Sequence, residues 1–318
     1  MVSKNKVAII GAGMMGPGIA ARAALAGHPT VQIDVSQERA DAGVERALAA
    51  VQQLLDNGLA EAGQAQRARA LLGAAPALAP HIADTFLIIE AVSEKLALKQ
   101  QVFKELDALA PLDVIIASNT SGLRITDIAA HTVHPERTVT THFWFPAHLV
   151  PLVEVVMGDR TTEAVAVKVK ELLITWGKAP VIVRKDLPGQ LANRILQAIL
   201  REATNIVGMG LATPEDVDTA VKMGMGIRFP AWGPLEHIDA VGLDLALSVQ
   251  GDVLPGLYNE PRPVQAFRDL VEAGNLGHKT GRGFYDWRVK DMAVLSARRD
   301  RFIIEALRIL QAPDGEQA

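Results

Sequence analysis

The sequence predicts an α/β fold: a mainly parallel sheet covered on both faces by helices, followed by an all-α C-terminal domain. Three observations carry that expectation. Strand patterns at 7–10 and 31–34 and further short apolar runs at 86–89, 114–117, 138–141, 152–156 and 181–183 are in several cases separated by helical patterns, and strands that alternate with helices build parallel sheets. A glycine-rich turn joins the first run to the first helical pattern. After Arg184-Lys185-Asp186-Leu187-Pro188-Gly189, a charged turn-forming segment, strand patterns stop.

Taken in order, Val7-Ala8-Ile9-Ile10 reads as a strand and Gly11-Ala12-Gly13-Met14-Met15-Gly16 as a turn. An alanine-rich helix follows to Ala26, then a second strand, Val31-Gln32-Ile33-Asp34. Gly27 followed by His28-Pro29 stops the helix, because glycine accepts the left-handed cap conformation and proline cannot continue. A lone Gly-x-Gly-x-x-Gly is a weak signal, but here it follows a strand and opens a helix. In that setting Gly11 makes the tight turn and Gly13 lets the backbone approach a pyrophosphate. Gly16 lets helix and strand close up, and the helix N-terminus faces the phosphates. The start of the chain is therefore expected to be a Rossmann-type dinucleotide-binding unit, with Gly11, Gly13, Met14, Met15 and Gly16 against the cofactor. Asp34 ends the second strand, where a carboxylate accepts from both ribose hydroxyls and repels a 2′-phosphate, which selects NAD over NADP. Arg39 nearby is the one hint of NADP tolerance.

Residues 36–72 lack β-branched runs and carry Leu48, Val51, Leu54 and Leu55 at helical spacing, so one long helical excursion is expected before the sheet resumes. The change of character near Pro188 places the domain boundary: 1–186 for the NAD-binding domain, 187–318 for a helical domain. Leu191, Ile195, Ile199, Ala203 and Ile206 follow helical spacing, and Thr213-Pro214 reads as an N-cap with proline in the first turn. A last amphipathic segment with Leu295, Phe302, Ile303, Leu307 and Leu310 suggests a terminal helix laid against the body or a partner subunit.

Composition narrows the function classes. The chain has 318 residues, 49% hydrophobic and 21% charged, which gives room for two cores. With a net charge of -4 and its 32 basic residues scattered among 36 acidic ones, it offers no basic stripe for nucleic acid or an anionic membrane. There is no cysteine, which removes disulfides, thiolate nucleophiles and cysteine metal sites and is compatible with a reducing compartment. The cytoplasm is the expected location. The apolar run before Gly11 is too short for a signal-peptide core, and no run approaches a membrane span. His131, His134, His148, His237 and His278 show no metal-ligand spacing, so no metal is expected. His148 alone among them sits where it can line a pocket.

The chemistry concentrates between Asn119 and Glu154. A hydroxyl in Asn119-Thr120-Ser121, an imidazole at His142 and a carboxylate at Glu154 are together able to take a proton from an alcohol. A neutral imidazole accepts protons near neutrality, and an adjacent carboxylate favours the imidazolium that results. From the residues alone, a core histidine satisfied by a carbonyl and a glutamate at a strand edge fit equally well. Yet a carboxylate between Val153 and Val155 needs a partner, since an unpaired buried charge is costly, and His142 is the obvious one.

Seven motifs in order give the chain its resemblance to the L-3-hydroxyacyl-CoA dehydrogenase family over nearly its whole length. They are Gly11-Ala12-Gly13-Met14-Met15-Gly16, Glu90-Ala91-Val92-Ser93-Glu94, Ser118-Asn119-Thr120-Ser121, His142-Phe143 with Glu154, Pro188-Gly189 with Asn193-Arg194, Gly233-Pro234-Leu235-Glu236, and Lys279-Thr280-Gly281-x-Gly283-Phe284-Tyr285. The resemblance implies NAD-dependent oxidation of an L-3-hydroxy compound by hydride transfer, with His142 as base and Glu154 as its orienter. It implies that Ser121 and Asn193 hydrogen-bond the substrate and that Glu94, Lys99, Asn119 and Lys279 lie on the cofactor side. It also implies a homodimer through the helical domain.

Two departures bear on the substrate. The family's usual His-Phe-Phe-Asn-Pro segment is His142-Phe143-Trp144-Phe145-Pro146 here, so a hydrocarbon ring at Phe145 replaces an amide beside the site. In the acyl-CoA enzymes the helix after the second strand is lysine-rich and contacts CoA, whereas residues 36–60 contain no lysine here, and Ala50 and Asn57 stand where serine and lysine are typical. Met223-Gly224-Met225-Gly226-Ile227-Arg228 resembles the branch acting on free hydroxy acids, which includes lambda-crystallin/L-gulonate 3-dehydrogenase and carnitine dehydrogenase. Arg228 then reads as a clamp for a substrate carboxylate, or else as a surface arginine paired with Glu236 or Asp239. Trp232 reads as a wall of the substrate site or as core. A free hydroxy acid is the expected substrate, the CoA thioester is the alternative, and a catalytically silent NADH-binding structural protein is the remote one.

Overall fold

The computed structural model describes residues 5–82 and 84–311. The chain forms two compact units that divide between Asn193 and Arg194, seven residues beyond the boundary expected from composition.

The first unit is built on eight strands: β1 (Lys6–Ile10), β2 (Thr30–Ile33), β3 (Leu72–Ala75), β4 (Thr85–Glu90), β5 (Ile115–Ser118), β6 (Thr138–Phe143), β7 (Leu152–Val156) and β8 (Ala179–Val183). Their order is β3-β2-β1-β4-β5-β6-β7-β8, and every neighbouring pair is parallel except β6 with β7. Strands buried on both faces send alternate side chains into two separate cores. Val7, Ile9, Leu87, Ile89 and Ala117 enter one, and Ala8, Ile88 and Ile116 enter the other.

Helix α1 (Gly16–Leu25) is almost wholly buried, which its small side chains permit: Ala20, Ala21, Ala23 and Ala24 sit in the first core. The single helical excursion expected over 36–72 is a different arrangement. It consists of α2 (Gln37–Asp56), α3 (Ala62–Leu71) and the edge strand β3. Gly58, at φ +70, takes a left-handed conformation between the helices that glycine adopts without strain. The β3 sequence, Leu-Gly-Ala-Ala, has no β-branched residue, so its strand character comes from pairing with β2 and not from propensity. Helices α4 (Leu96–Leu109), α5 (Ile125–Ile128) and α6 (Glu163–Thr175) complete the unit.

Helix α7 (Ala192–Gly208) begins at the end of the first unit. The second unit continues with α8 (Pro214–Ala220), a π-helical turn at Val221–Gly226, α9 (Pro234–Val241), α10 (Leu243–Val253), α11 (Gln265–Glu272) and α12 (Met292–Gln311). Thr213 caps α8 by accepting from Asp216 N, and Pro214 occupies the first turn. In the terminal helix Leu307 is buried with Ile304, while Phe302 and Leu310 of the expected apolar stripe are exposed. No helix among the described residues is long and apolar enough to cross a membrane.

Candidate active site

The antiparallel insertion in the sheet creates the central contact. In the β6–β7 register His142 lies directly opposite Glu154, and opposed residues of an antiparallel pair project to the same face. Twelve positions in sequence thus become neighbours, with His142 Nδ1 2.7 Å from Glu154 Oε2. Asn119 fixes the end of β6, since its Oδ1 accepts from Phe143 N at 2.9 Å.

Glu154 is fully buried yet has four donors. Oε2 accepts from His142 Nδ1 and, at 3.1 Å, from Trp144 Nε1; Oε1 accepts from Leu191 N at 2.9 Å and Ala192 N at 2.8 Å. The last two come from the start of α7, where unsatisfied N–H groups and the helix dipole favour an anion. Burial pushes the Glu154 carboxyl upward, but the imidazole, Ala192 N, the Trp144 indole and Leu191 N outweigh it and hold it down to about 2. With Nδ1 directed at a carboxylate, the imidazole is held with its proton there, which leaves Nε2 as acceptor. Nε2 has no hydrogen-bond partner among the described residues.

The other end of the sheet edge suits a dinucleotide. Between β1 and β4 the strand order reverses, the place where doubly wound sheets bind nucleotides. Gly11, at φ +104, allows no side chain, because a Cβ there would lie 2.5 Å from Ala91 O. A Cβ on Gly16 would meet Gly11 O at 2.0 Å, whereas one on Gly13 would project into open space, the cradle a pyrophosphate needs. Helix α1 has neither a side-chain cap nor an acidic residue in its first turn. A cavity of about 650 Å³ continues from this turn, lined by Gly11, Gly13, Asp34, Val92, Leu98 and Val102 among others. Asp34 follows β2 and accepts from Ala12 N and Val35 N, each at 2.8 Å, and from Arg39 Nε at 2.7 Å. Burial raises its carboxyl, but these donors outweigh it and keep it below the usual range. Arg39 is thereby tied to the carboxylate. These residues fit NAD. Of the two methionines of the turn, Met14 is exposed and Met15 packs against the first core.

Behind the turn lies a buried charge network. Lys99, 1% exposed, donates to Glu90 Oε1 at 2.7 Å and Val92 O at 3.3 Å and pairs with Glu94 Oε2 at 3.3 Å. Ser118 Oγ donates to the other Glu90 oxygen at 2.7 Å. Glu94 Oε1 accepts from Thr120 Oγ1, Ser121 N and Gly122 N, so it fixes the turn after β5. Burial raises the Glu94 carboxyl, but Thr120, Lys99 and Gly122 N bring it below its ordinary value. Ser121 is exposed, and its carbonyl accepts from Asn193 Nδ2 at 3.0 Å, which brings those two residues together.

Other residues fall elsewhere. His148 Nε2 is bound to Gln53 Oε1 of α2 at 2.7 Å, and its carbonyl accepts from Arg22 of α1. Phe145 is 48% exposed. In the second unit Lys279 is exposed, and Trp232 contacts His237 edge-on at a centroid distance of 5.2 Å. Arg228 meets His237 Nε2 at 3.4 Å and pairs with neither Glu236 nor Asp239. Sequence reasoning passed over Trp144 as a site residue. Its only signal is an indole two positions from the histidine, and the bond to Glu154 depends on how the chain turns after β6.

Residues 6–187 match the family described as 3-hydroxyacyl-CoA dehydrogenase, NAD binding domain, and residues 189–287 match 3-hydroxyacyl-CoA dehydrogenase, C-terminal domain. The chain is 36% identical over 314 residues to 5-formyl-3-hydroxy-2-methylpyridine 4-carboxylate 5-dehydrogenase of Mesorhizobium japonicum, covering 96% of this chain and 98% of that protein. It is 39% identical over 289 residues to a probable 3-hydroxybutyryl-CoA dehydrogenase of Bacillus subtilis, covering 90% and 98%. Among solved structures, the pyridine-carboxylate 5-dehydrogenase, described as an NAD+-dependent dismutase, superposes with a TM-score of 0.89 at 33% identity over 98% of this chain and 99% of that one. The (S)-3-hydroxybutyryl-CoA dehydrogenase of Ralstonia eutropha gives 0.74 at 36% identity over 90% and 99%.

Proposed function

We propose, for a chain that belongs to the 3-hydroxyacyl-CoA dehydrogenase family of NAD-dependent oxidoreductases, that it oxidises the secondary alcohol of a free L-3-hydroxy acid to the 3-keto acid. The His142–Glu154 contact carries this reading. His142 takes the hydroxyl proton at Nε2, and the Glu154 carboxylate stabilises the imidazolium that forms. Ser121 and Asn193 hold the substrate oxygen. NAD, when bound, accepts the hydride from carbon 3. The glycine turn and Asp34 bind and orient that cofactor, Asp34 through the ribose hydroxyls.

Charge supports a free acid over a thioester. On α2, where the family's CoA-acting members carry lysines, Glu38, Asp41, Glu45 and Asp56 face only two cations, Arg39 and Arg46. Arg39 is spent on Asp34, and Arg46 on the carbonyl of Ala12. Arg228 has no carboxylate partner among the described residues, which suits it to a substrate carboxylate held through two parallel hydrogen bonds. The relative named for a pyridine carboxylate supports the same choice. The likeness to 3-hydroxybutyryl-CoA dehydrogenases favours the second reading, the CoA thioester. The proposed assembly is a cytoplasmic homodimer through the helical unit.

A panel of free 3-keto acids and acetoacetyl-CoA with NADH separates the two substrates, repeated with Arg228→Met. If the arginine clamps a carboxylate, the substitution weakens free acids selectively; equal loss on both classes removes the clamp. His142→Gln is expected to keep NADH affinity and lose turnover by ~10²–10⁴. Turnover near wild type in that variant removes the base.

A further inference from the structure

We propose that Trp144 is a positioning residue that shares Glu154 Oε2 with the His142 imidazole and so limits how strongly the carboxylate draws the proton on Nδ1. The role rests on His142 acting as the base. Two observations carry it. Trp144 Nε1 and His142 Nδ1 donate to the same oxygen, at 3.1 and 2.7 Å. The two rings lie at a centroid distance of 5.5 Å, inclined at 50°, so the indole flanks the imidazole it competes with.

The physical consequence follows from acceptor capacity. A carboxylate has about four lone-pair sites, and all four are used: two backbone N–H groups on Oε1, the indole and the imidazole on Oε2. Each donor draws electron density from the carboxylate, and an oxygen already holding one N–H accepts a second less strongly. Removing the indole N–H leaves the imidazole as sole donor to Oε2. The Nδ1–H bond then strengthens, the imidazolium is favoured, and the base is occupied by a proton up to a higher pH. Among the described residues no charged side chain other than this pair hydrogen-bonds to either member of it. Val181 of β8 lies opposite Glu154, α7 contributes only backbone N–H groups, and Asn119 at the end of β5 is neutral. Lys178 points instead at the carbonyls of Ala147 and Val150. Among the described residues His142 and Glu154 are the titratable groups in contact with each other here.

Trp144→Phe keeps a ring and deletes the N–H. The acid limb of kcat/KM for hydroxy-acid oxidation is expected to move up by about half a pH unit, with KM nearly unchanged. The ring-nitrogen resonance of His142 in ¹⁵N-histidine protein, assigned through its loss in His142→Gln, should shift at Nδ1. In the Glu154→Gln background, Trp144→Phe should move neither. An unmoved Nδ1 resonance in a variant that binds NADH normally overturns the proposal, as does an equal effect in the Glu154→Gln background. Because the resonance is read without substrate, a chain inactive on every hydroxy acid would refute the functional reading while still reporting on Trp144.

Discussion

Replacing Glu154 by glutamine tests the site at its most constrained atom pair. The side chain keeps its size and loses its charge, but its surroundings consist of donors alone: Leu191 N and Ala192 N on one oxygen, His142 Nδ1 and Trp144 Nε1 on the other. An amide presents one oxygen and one NH₂. If the oxygen faces α7, the NH₂ meets the imidazole, which must turn Nδ1 into an acceptor and carry its proton on Nε2. That tautomer cannot take a proton from an alcohol, and the indole N–H is left without an acceptor. Turnover is expected to fall by ~10³–10⁴ with NADH affinity retained. Stability changes as well, and with a definite sign. The carboxyl is depressed from 4.5 to about 2, worth about 3 kcal/mol that is fully present above the ordinary carboxylate range and lost as pH falls through the folded value. Glutamine has no such titration, so the deficit of the variant at pH 7 should shrink by about 2 kcal/mol at pH 3. Steady-state NADH kinetics measure the first effect, and urea unfolding at the two pH values measures the second. Turnover within tenfold of wild type, or a deficit independent of pH, would refute the pairing.

Further expectations concern the cofactor end and the charge network behind it. Gly13→Ala adds a Cβ that meets nothing within 4 Å, so the thermal midpoint should hold while titration calorimetry shows NADH binding weakened; unchanged affinity would mean that the pyrophosphate does not cross this turn. Asp34→Ser removes the carboxylate that repels a 2′-phosphate and frees Arg39, so the ratio of kcat/KM for NAD to that for NADP should drop at least about tenfold. An unchanged ratio would remove Asp34 from cofactor selection. Lys99→Met leaves Glu90 buried without its cation, which costs about 3–5 kcal/mol and should lower the melting midpoint by on the order of 10 °C. A shift of a degree or two would place the stability of this region elsewhere.

Sequence patterns disclosed most of this architecture because the first unit obeys local rules. Strands buried on both faces announce themselves as apolar or β-branched segments, and β1, β2 and β4 to β8 all fall on segments read as strands from the sequence. Strand β3 did not, since Leu72-Gly73-Ala74-Ala75 gains its conformation from β2 alongside it. The proximity of His142 and Glu154 was inferred from the cost of burying a carboxylate between valines, an energetic argument that needs no coordinates. What it left out was everything that reaches Glu154 from outside its own strand pair. The N–H groups of Leu191 and Ala192 and the indole of Trp144 depend on where a helix starts and how a loop turns, which no periodicity records. The same limit explains Lys99 and Glu94, whose network with Glu90, Thr120 and Ser121 joins residues up to 28 positions apart.

The reversal between β6 and β7 is what brings an imidazole and a carboxylate together at this sheet edge. In an all-parallel sheet each strand returns after a crossover of a dozen or more residues, and neighbours meet at evenly slanted positions. An antiparallel return through residues 144–151 instead sets two side chains face to face at the carboxyl end of β6, the same edge that presents Gly11 and Asn119. Burying a carboxylate there would be prohibitive without compensation, and the compensation comes from groups that cannot titrate: two peptide N–H groups at the start of α7 and one indole. Because those donors are neutral, Glu154 keeps its full negative charge for the one partner able to become positive. A lysine or arginine in place of any of them would neutralise the carboxylate and weaken its hold on an imidazolium, so the proposed chemistry depends on Glu154 being well solvated by the protein yet not paired with a permanent cation.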